Sequence, residues 1–125
     1  MYRCALAAAA AICLVAPAAA QQRAFPQNAL RGALVIASPS EALLNDQAVQ
    51  LAPGLRIRGQ DNMLAMSGSL IGARLLVHYT TDVQGSVNNI WILTPDEASR
   101  RPWPTTPEQA QSWRFDPAAQ LWSKP

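Results

Sequence analysis

The chain has 125 residues, with ten Lys and Arg, eight Asp and Glu, and one His, which gives a formal net charge of +2. This nearly neutral balance supplies no field that would steer nucleic acid or acidic lipid toward the protein. The length predicts one domain.

The first twenty residues, MYRCALAAAAAICLVAPAAA, have the pattern of a cleavable export signal. Arg3 provides a positive start, Cys4–Ala16 form an apolar core, and Ala18–Ala20 supply the small side chains that a signal peptidase accepts. An uncleaved anchor is the alternative, but the apolar core is shorter than the roughly 20 residues of a spanning helix. Cleavage after Ala20 leaves a mature chain of 105 residues without either cysteine. The sequence therefore predicts a periplasmic protein that meets the membrane only through its signal, before cleavage.

The next segments predict a leader followed by short strands. Residues 21–31 are mostly polar and are expected to form a flexible leader. The unbroken apolar run Ala33–Ala37 is typical of a buried strand. The pair Asn45–Asp46 predicts a hairpin turn, because both residues tolerate unusual backbone angles. Pro53–Gly54 has the residue order of a type II turn, and the alternation in Leu55–Arg58 indicates a half-exposed strand.

Three further strands are predicted before the proline-rich C-terminal segment. They are Met63–Ser67, Ala73–Thr81 and Ser86–Thr94. In an extended chain Val87 lies on the opposite face from Ile90. The short strands and frequent turns predict a mainly β fold, a small antiparallel barrel or sandwich of five or six strands.

The C-terminal segment, residues 95–125, contains six of the ten prolines and three of the four tryptophans. Thr94 and Thr106 each precede a proline, with Glu or Gln three positions later, which is typical of helix starts. We therefore expect one or two short helices. The segment is predicted to pack as a helical and extended flap on a β domain formed by residues 32–94.

Two sets of side chains are the candidate binding residues. They are Trp103, Trp113 and Trp122 of the tail, and Arg56, Arg58 and Arg74 of the strands. Tryptophans are frequent anchors of protein interfaces, and the alternative is that they fix the tail to the barrel. Arginines bind carboxylates and phosphates through paired donors, and the alternative is an ordinary solvated face.

His78 is the only histidine, and its alternation in the strand predicts a partly exposed side chain. A general base or, with Met63 and Met66, a copper ligand are its functional interpretations. The sequence has no glycine-rich phosphate loop, no paired zinc-ligand spacing and no nucleophile elbow. We therefore predict a monomeric, non-enzymatic protein with no catalytic residue, metal or cofactor.

Three stretches carry a resemblance to known proteins. LxPGxRIRG (Leu51–Gly59), VHYTTDVQGSVNNIWILTPDEA (Val77–Ala98) and PWPTTPEQA (Pro102–Ala110) resemble small, signal-bearing proteins of Gram-negative bacteria. That resemblance implies export and assigns no catalytic residue. The hairpin around Gly85 is similar to those of OB-type and SH3-like small barrels, a similarity of fold that does not give function.

The leading hypothesis is a periplasmic binding module for a protein or an envelope component. One alternative is a small hydrolase or copper-binding protein centred on His78. The other is an oligonucleotide-binding, OB-like barrel, which requires Arg56, Arg58 and Arg74 to cluster beside exposed aromatic residues. Nucleic acid is not expected as the natural ligand, because the charge is nearly neutral and the protein is exported.

Overall fold

The computed structural model describes residues 23–125, so the predicted signal and its cleavage site lie outside the described residues. The described part of the chain is mainly β, as predicted. Its strands are β1 (Leu30–Ser38), β2 (Glu41–Leu44), β3 (Gln47–Arg58), β4 (Leu64–Ala65), β5 (Arg74–Thr81), β6 (Val87–Ile92), β7 (Arg114–Asp116) and β8 (Leu121–Ser123). Two helices, α1 (Pro95–Ala98) and α2 (Pro107–Ser112), lie between β6 and β7. Within residues 23–125, no helix is both long enough and apolar enough to cross a membrane.

Six strands form one mixed sheet in the order β2-β1-β5-β6-β3-β4. The long strand β3 pairs with β2 through its first residues and with β6 through its later ones. The pairings of β1, β2, β3, β6 and β5 therefore run in a circuit. The expected antiparallel barrel is corrected in two respects: β3 and β6 are parallel, and the sheet, whose pairings contain three register shifts, does not close as a regular barrel.

The interior of this circuit is the main hydrophobic core. Leu30, Tyr79, Ile90 and Ile57 occupy matching register positions across four neighbouring strands, and all four side chains are buried. Because side chains alternate along a strand, the next positions point to the outer face of the sheet. This outer face carries the candidate site described below.

The turn predicted at Asn45–Asp46 is confirmed. The two residues have φ angles of 52° and 67°, as a two-residue hairpin of the mirror-image type requires. Asn45 also accepts a hydrogen bond from the Ala33 backbone N–H at 2.9 Å through its side-chain oxygen. That bond ties the turn to β1.

The type II turn predicted at Pro53–Gly54 is wrong, because β3 continues through both residues. Such a turn needs a positive φ at its glycine, and the positive-φ glycines of the described chain are Gly72 and Gly85. The pairing of β3 with β6 shifts register between Leu51 and Arg56. An irregularity of this kind accommodates proline inside a strand, since proline has no N–H to donate.

The predicted alternation in β6 also fails at one point. A register shift against β5 falls between Thr80 and Thr81, so Asn88 has no partner position in the ladder. Val87 and Ile90 consequently lie in the same core. A β-bulge adds one residue to a strand and so changes which face the later residues occupy.

The helix starts are confirmed, although α1 is a single turn. Thr94 and Glu97 form a reciprocal capping box at α1. At α2 the Thr106 side chain accepts from the Gln109 N–H, whereas the Gln109 side chain accepts from Thr105. Both arrangements satisfy backbone donors at a helix start.

The two ends of the described chain pack together on the outer face of the sheet. Arg23, Phe25 and Arg31 are buried, so this part of the expected leader belongs to the folded domain. The tail contains a second sheet, the β7–β8 hairpin, which the sequence analysis did not anticipate. A second core joins both ends; its buried members are Phe25, Ala29, Leu93, Trp103 and Trp122.

Candidate functional site

His78 lies on the outer face of β5, in one row with residues of three other strands. Arg31 of β1, Trp91 of β6 and Arg58 of β3 occupy the matching register positions. Only 1% of the His78 surface is exposed. The expected partial exposure is therefore wrong, because Phe25 of the N-terminal segment and Trp103 of the tail cover the histidine.

Two aromatic rings enclose the His78 imidazole. Trp103 stacks on it with ring centroids 4.1 Å apart and planes inclined by 22°. Phe25 meets it edge-on at 4.4 Å. Stacked and edge-on arrangements are the favourable geometries for such ring pairs. The imidazole is thus part of the second core.

Hydrogen bonding selects one tautomer of the neutral His78 imidazole. The Nε2 atom accepts from Arg31 Nε at 3.2 Å, so the proton of the neutral ring is on Nδ1. That Nδ1 is buried and has no partner among the described residues. Burial, followed by the charges of Arg31, Arg23 and Arg100, lowers the pKa of His78 to about 2. The ring is therefore neutral at every physiological pH.

Arg31 connects β1 to the end of α1. Its Nη2 donates to the Glu97 carbonyl at 3.0 Å and its Nη1 to the Ala98 carbonyl at 3.2 Å. These are carbonyls that a short helix cannot satisfy internally. Burial, together with the charge of Arg101, lowers the pKa of Arg31 to about 10, although Glu97 opposes this shift. The guanidinium remains charged and holds the helix against the sheet.

A buried ion pair joins the beginning of the described chain to the same helix. Both Arg23 and Glu97 are buried, and the guanidinium binds the carboxylate through Nε and Nη2, with the Nε contact at 2.8 Å. Arg23 also donates to the carbonyls of Gly59 at 2.8 Å and Ile92 at 2.7 Å. Burial opposes ionisation of Glu97, but hydrogen bonds from Arg23 and Thr94 outweigh it and lower the pKa of the carboxyl group. Paired, bidentate charges of this kind are tolerated in a protein interior.

We call Arg23, Arg31, His78, Glu97 and Trp103 the N-terminal clamp. Its members bond to one another or to backbone carbonyls, and each is buried. A general base must instead reach a substrate proton and have a pKa near the working pH. The clamp therefore has the properties of a structural network.

Within residues 23–125, the side chains proposed as copper ligands do not form a binding site. Met63 and Met66 are exposed, whereas His78 is buried and bonded to an arginine. Over the same range, no three His, Cys, Asp or Glu side chains form a group that could hold a metal ion. The structure does not bring the three proposed ligands together.

The candidate tryptophans occupy different environments. Trp103 and Trp122 are 5% and 4% exposed and belong to the second core. The Trp103 indole donates to the Ala29 carbonyl at 3.0 Å, which fixes the tail to the N-terminal segment. Trp113 is half-buried, with the Lys124 ammonium 5.4 Å from its ring centroid. Two of the three candidate tryptophans therefore pack in the protein's own core.

The candidate arginines fall into two places. Arg56 and Arg58 follow each other on one face of β3, opposite Asn89 and Trp91 of β6. Arg74 instead begins β5 and pairs with Val35 of β1. The structure brings the first two together and leaves Arg74 on another strand pair, so the cluster of three required for the oligonucleotide hypothesis is not formed.

An open cleft of about 580 Å³ lies between the N-terminal segment, the end of β5 and α2. Its lining residues are all uncharged: Gln27, Asn28, Leu30, Thr81, Pro107, Ala110 and Gln111. Amide and hydroxyl groups beside apolar side chains suit a ligand that is itself uncharged. The sequence analysis missed this cleft, because exposed amides carry no pattern that separates a site from an ordinary surface.

A second open surface surrounds β4. Met63, Leu64 and Met66 are 67%, 66% and 81% exposed. Met66 also lines a groove of about 460 Å³, together with Pro53 and Leu55 among others. Large apolar side chains exposed together mark interaction sites on folded proteins.

No family model matches the chain, and neither a curated protein nor a solved structure matches it.

Proposed function

We propose that this chain is an exported, non-catalytic binding module that holds a periplasmic protein or an envelope component. One observation carries the proposal: the side chains best suited to chemistry are used within the N-terminal clamp. His78 is sealed between two aromatic rings, and Glu97 is neutralised by Arg23. Two of the surfaces left open are an uncharged cleft and an apolar patch, which suit binding.

The uncharged cleft is the proposed binding site for the partner. Gln27, Asn28 and Gln111 present amides from two separate segments, and Pro107 and Ala110 provide apolar contacts. Amides both donate and accept hydrogen bonds, so they pair with peptide or hydroxyl groups. An uncharged peptide segment or glycan of the envelope has this chemistry.

Photocrosslinking in a Gram-negative host tests the proposal. A photoreactive residue replaces Gln111 in the cleft or, as the matched control, the exposed Gln84 in the loop after β5. We expect the protein in the osmotic-shock fraction, a mature mass that begins at Gln21, and adducts from position 111 but not from position 84. Retention in the cytoplasm, or equal adducts from both positions, would overturn the proposal.

The oligonucleotide alternative keeps one supporting observation. The circuit of β1, β2, β3, β6 and β5 supports an OB-like interpretation of the fold. The separation of Arg74 from Arg56 and Arg58 does not support a binding role for them as a group. Filter binding of single-stranded DNA at rising salt tests it, since such binding weakens steeply with salt.

A further inference from the structure

The segment from Met63 to Met66 carries an unusual concentration of exposed apolar surface. Met63, Leu64 and Met66 each expose at least 66% of their surface. β4 is only two residues long and pairs with β3 alone, so the segment lies at the edge of the sheet. Nothing in the N-terminal clamp or the uncharged cleft uses these side chains.

Two cations border this apolar segment. Arg58 pairs directly with Leu64, and its Nη1 donates to the Asn62 carbonyl at 3.2 Å, which holds the guanidinium beside the segment. Arg56 is exposed on the same face of β3. The opposing charge is Asp61, whose carboxylate accepts from the Met63 N–H at 3.0 Å and shapes the turn. Apolar side chains bordered by arginines are the composition of a surface that lies in a lipid interface.

The start of the described chain lies against the same turn. Arg23 donates to the Gly59 carbonyl at 2.8 Å, and the Gly59 N–H donates to the Met63 carbonyl at 2.9 Å. The residues before Arg23 include the predicted export signal, a type of segment that enters the membrane during export. The described chain therefore begins beside the turn that carries the exposed methionines, and the predicted signal precedes it in the sequence.

We propose that Met63, Leu64 and Met66 insert into the surface of an anionic phospholipid bilayer, with Arg56 and Arg58 at the headgroups. This proposal rests on the proposed export of the protein but not on the uncharged cleft. It departs from the sequence-based expectation that contact with the membrane ends with signal cleavage. Apolar insertion supplies most of the binding, because the segment and its two arginines carry a net charge of only +1 once Asp61 is counted.

Vesicle sedimentation of the protein recovered from the osmotic-shock fraction tests the proposal. The probes are vesicles of phosphatidylcholine alone and vesicles that also contain phosphatidylglycerol. We expect binding to the anionic vesicles, and a loss of about ten-fold or more in the partition coefficient for Met63→Ser/Leu64→Ser/Met66→Ser. The matched control is Leu76→Ser/Val83→Ser/Leu121→Ser, which removes exposed apolar side chains elsewhere and is expected to bind like the wild type.

The arginines are tested separately with Arg56→Gln/Arg58→Gln. We expect this variant to lose several-fold in binding to anionic vesicles and little in binding to neutral ones. No wild-type binding, or equal loss in the apolar variant and its control, would overturn the proposal. A wild-type dimer that the apolar variant converts to a monomer without vesicles would also overturn it, since the segment would then be an interface between two copies. Crosslinking from position 111 reports on the cleft independently of these results.

Discussion

Acidification is expected to destabilise this protein mainly through one side chain, His78. Its pKa is about 2 in the folded chain, against an ordinary value of 6.5. The unfolded chain therefore binds a proton at pH values where the folded chain does not. The stabilisation is complete above pH 6.5 and is lost as the pH falls from 6.5 toward 2.

The size of the effect follows from the difference between the two pKa values. Each pH unit below 6.5 costs up to about 1.4 kcal/mol of unfolding free energy. The loss reaches about 1.4 kcal/mol at pH 5.5 and about 2.7 kcal/mol at pH 4.5. Because the folded pKa is far below 4.5, the folded chain keeps a neutral imidazole over this whole range.

The composition of the chain allows a loss of stability between pH 6.5 and 5.5 to be assigned to one side chain. His78 is the only histidine in the chain. The pKa of Glu97 is lowered from 4.5, so the stabilisation from that carboxylate is complete above pH 4.5 and is lost only at more acidic pH. A loss of stability between pH 6.5 and 5.5 therefore reports on the histidine.

Urea unfolding followed by tryptophan fluorescence measures the effect in the wild type and in His78→Gln. Glutamine keeps an acceptor for Arg31 but does not titrate. The unfolding free energy of the variant is expected to be lower at neutral pH, because the ring stacking is lost, but flat between pH 6.5 and 5.5. A flat wild-type profile, or equal slopes in both proteins, would refute the reasoning. Equal denaturant slopes show that the comparison concerns stability and not compactness.

Further expected outcomes concern the clamp, the tail and the hairpin turn. Arg23→Ala leaves the Glu97 carboxylate buried and unpaired, and urea unfolding should show a loss of about 3–5 kcal/mol in unfolding free energy. The double variant Arg23→Leu/Glu97→Leu should lose less unfolding free energy than the sum of the losses in its two single variants. Losses that simply add would contradict this expectation. Trp103→Ala should lower stability by about 3–5 kcal/mol and the half-buried Trp113→Ala by clearly less, and equal losses in thermal unfolding would contradict the packing. Asp46→Gly should raise stability by about 1 kcal/mol, since φ is 67° there and glycine adopts that region without strain; a lower melting temperature would contradict the turn assignment.

The sequence predicted most of the structural elements whose formation depends on neighbouring residues. The Asn45–Asp46 turn, the capping residues Thr94 and Thr106, and the apolar alternation of β5 each depend on a few neighbouring residues. Pro53–Gly54 was predicted wrongly because the register between β3 and β6 overrides a turn preference. The bulge at Asn88 has the same origin, since strand pairing is a property of two segments and not of one.

The candidate site was predicted less well, because its bonds join distant parts of the chain. Arg23 and Glu97 are 74 positions apart, and Arg31 and His78 are 47 apart. No spacing rule connects such residues, so Arg23 appeared as part of a leader and His78 as a partly exposed strand residue. The burial of Trp103 and Trp122 matched one of two stated alternatives, and the choice between them required the packing of both chain ends.

Nitrogen NMR of the single imidazole tests the central claim most directly, namely that the protein's one histidine serves its structure. We predict a neutral ring with its proton on Nδ1, and resonances that do not titrate between neutral pH and pH 5. A titration midpoint near 6.5, or a proton on Nε2, would contradict the claim. Either result would place His78 in contact with solvent or with another partner, and would return it to consideration as a chemical group.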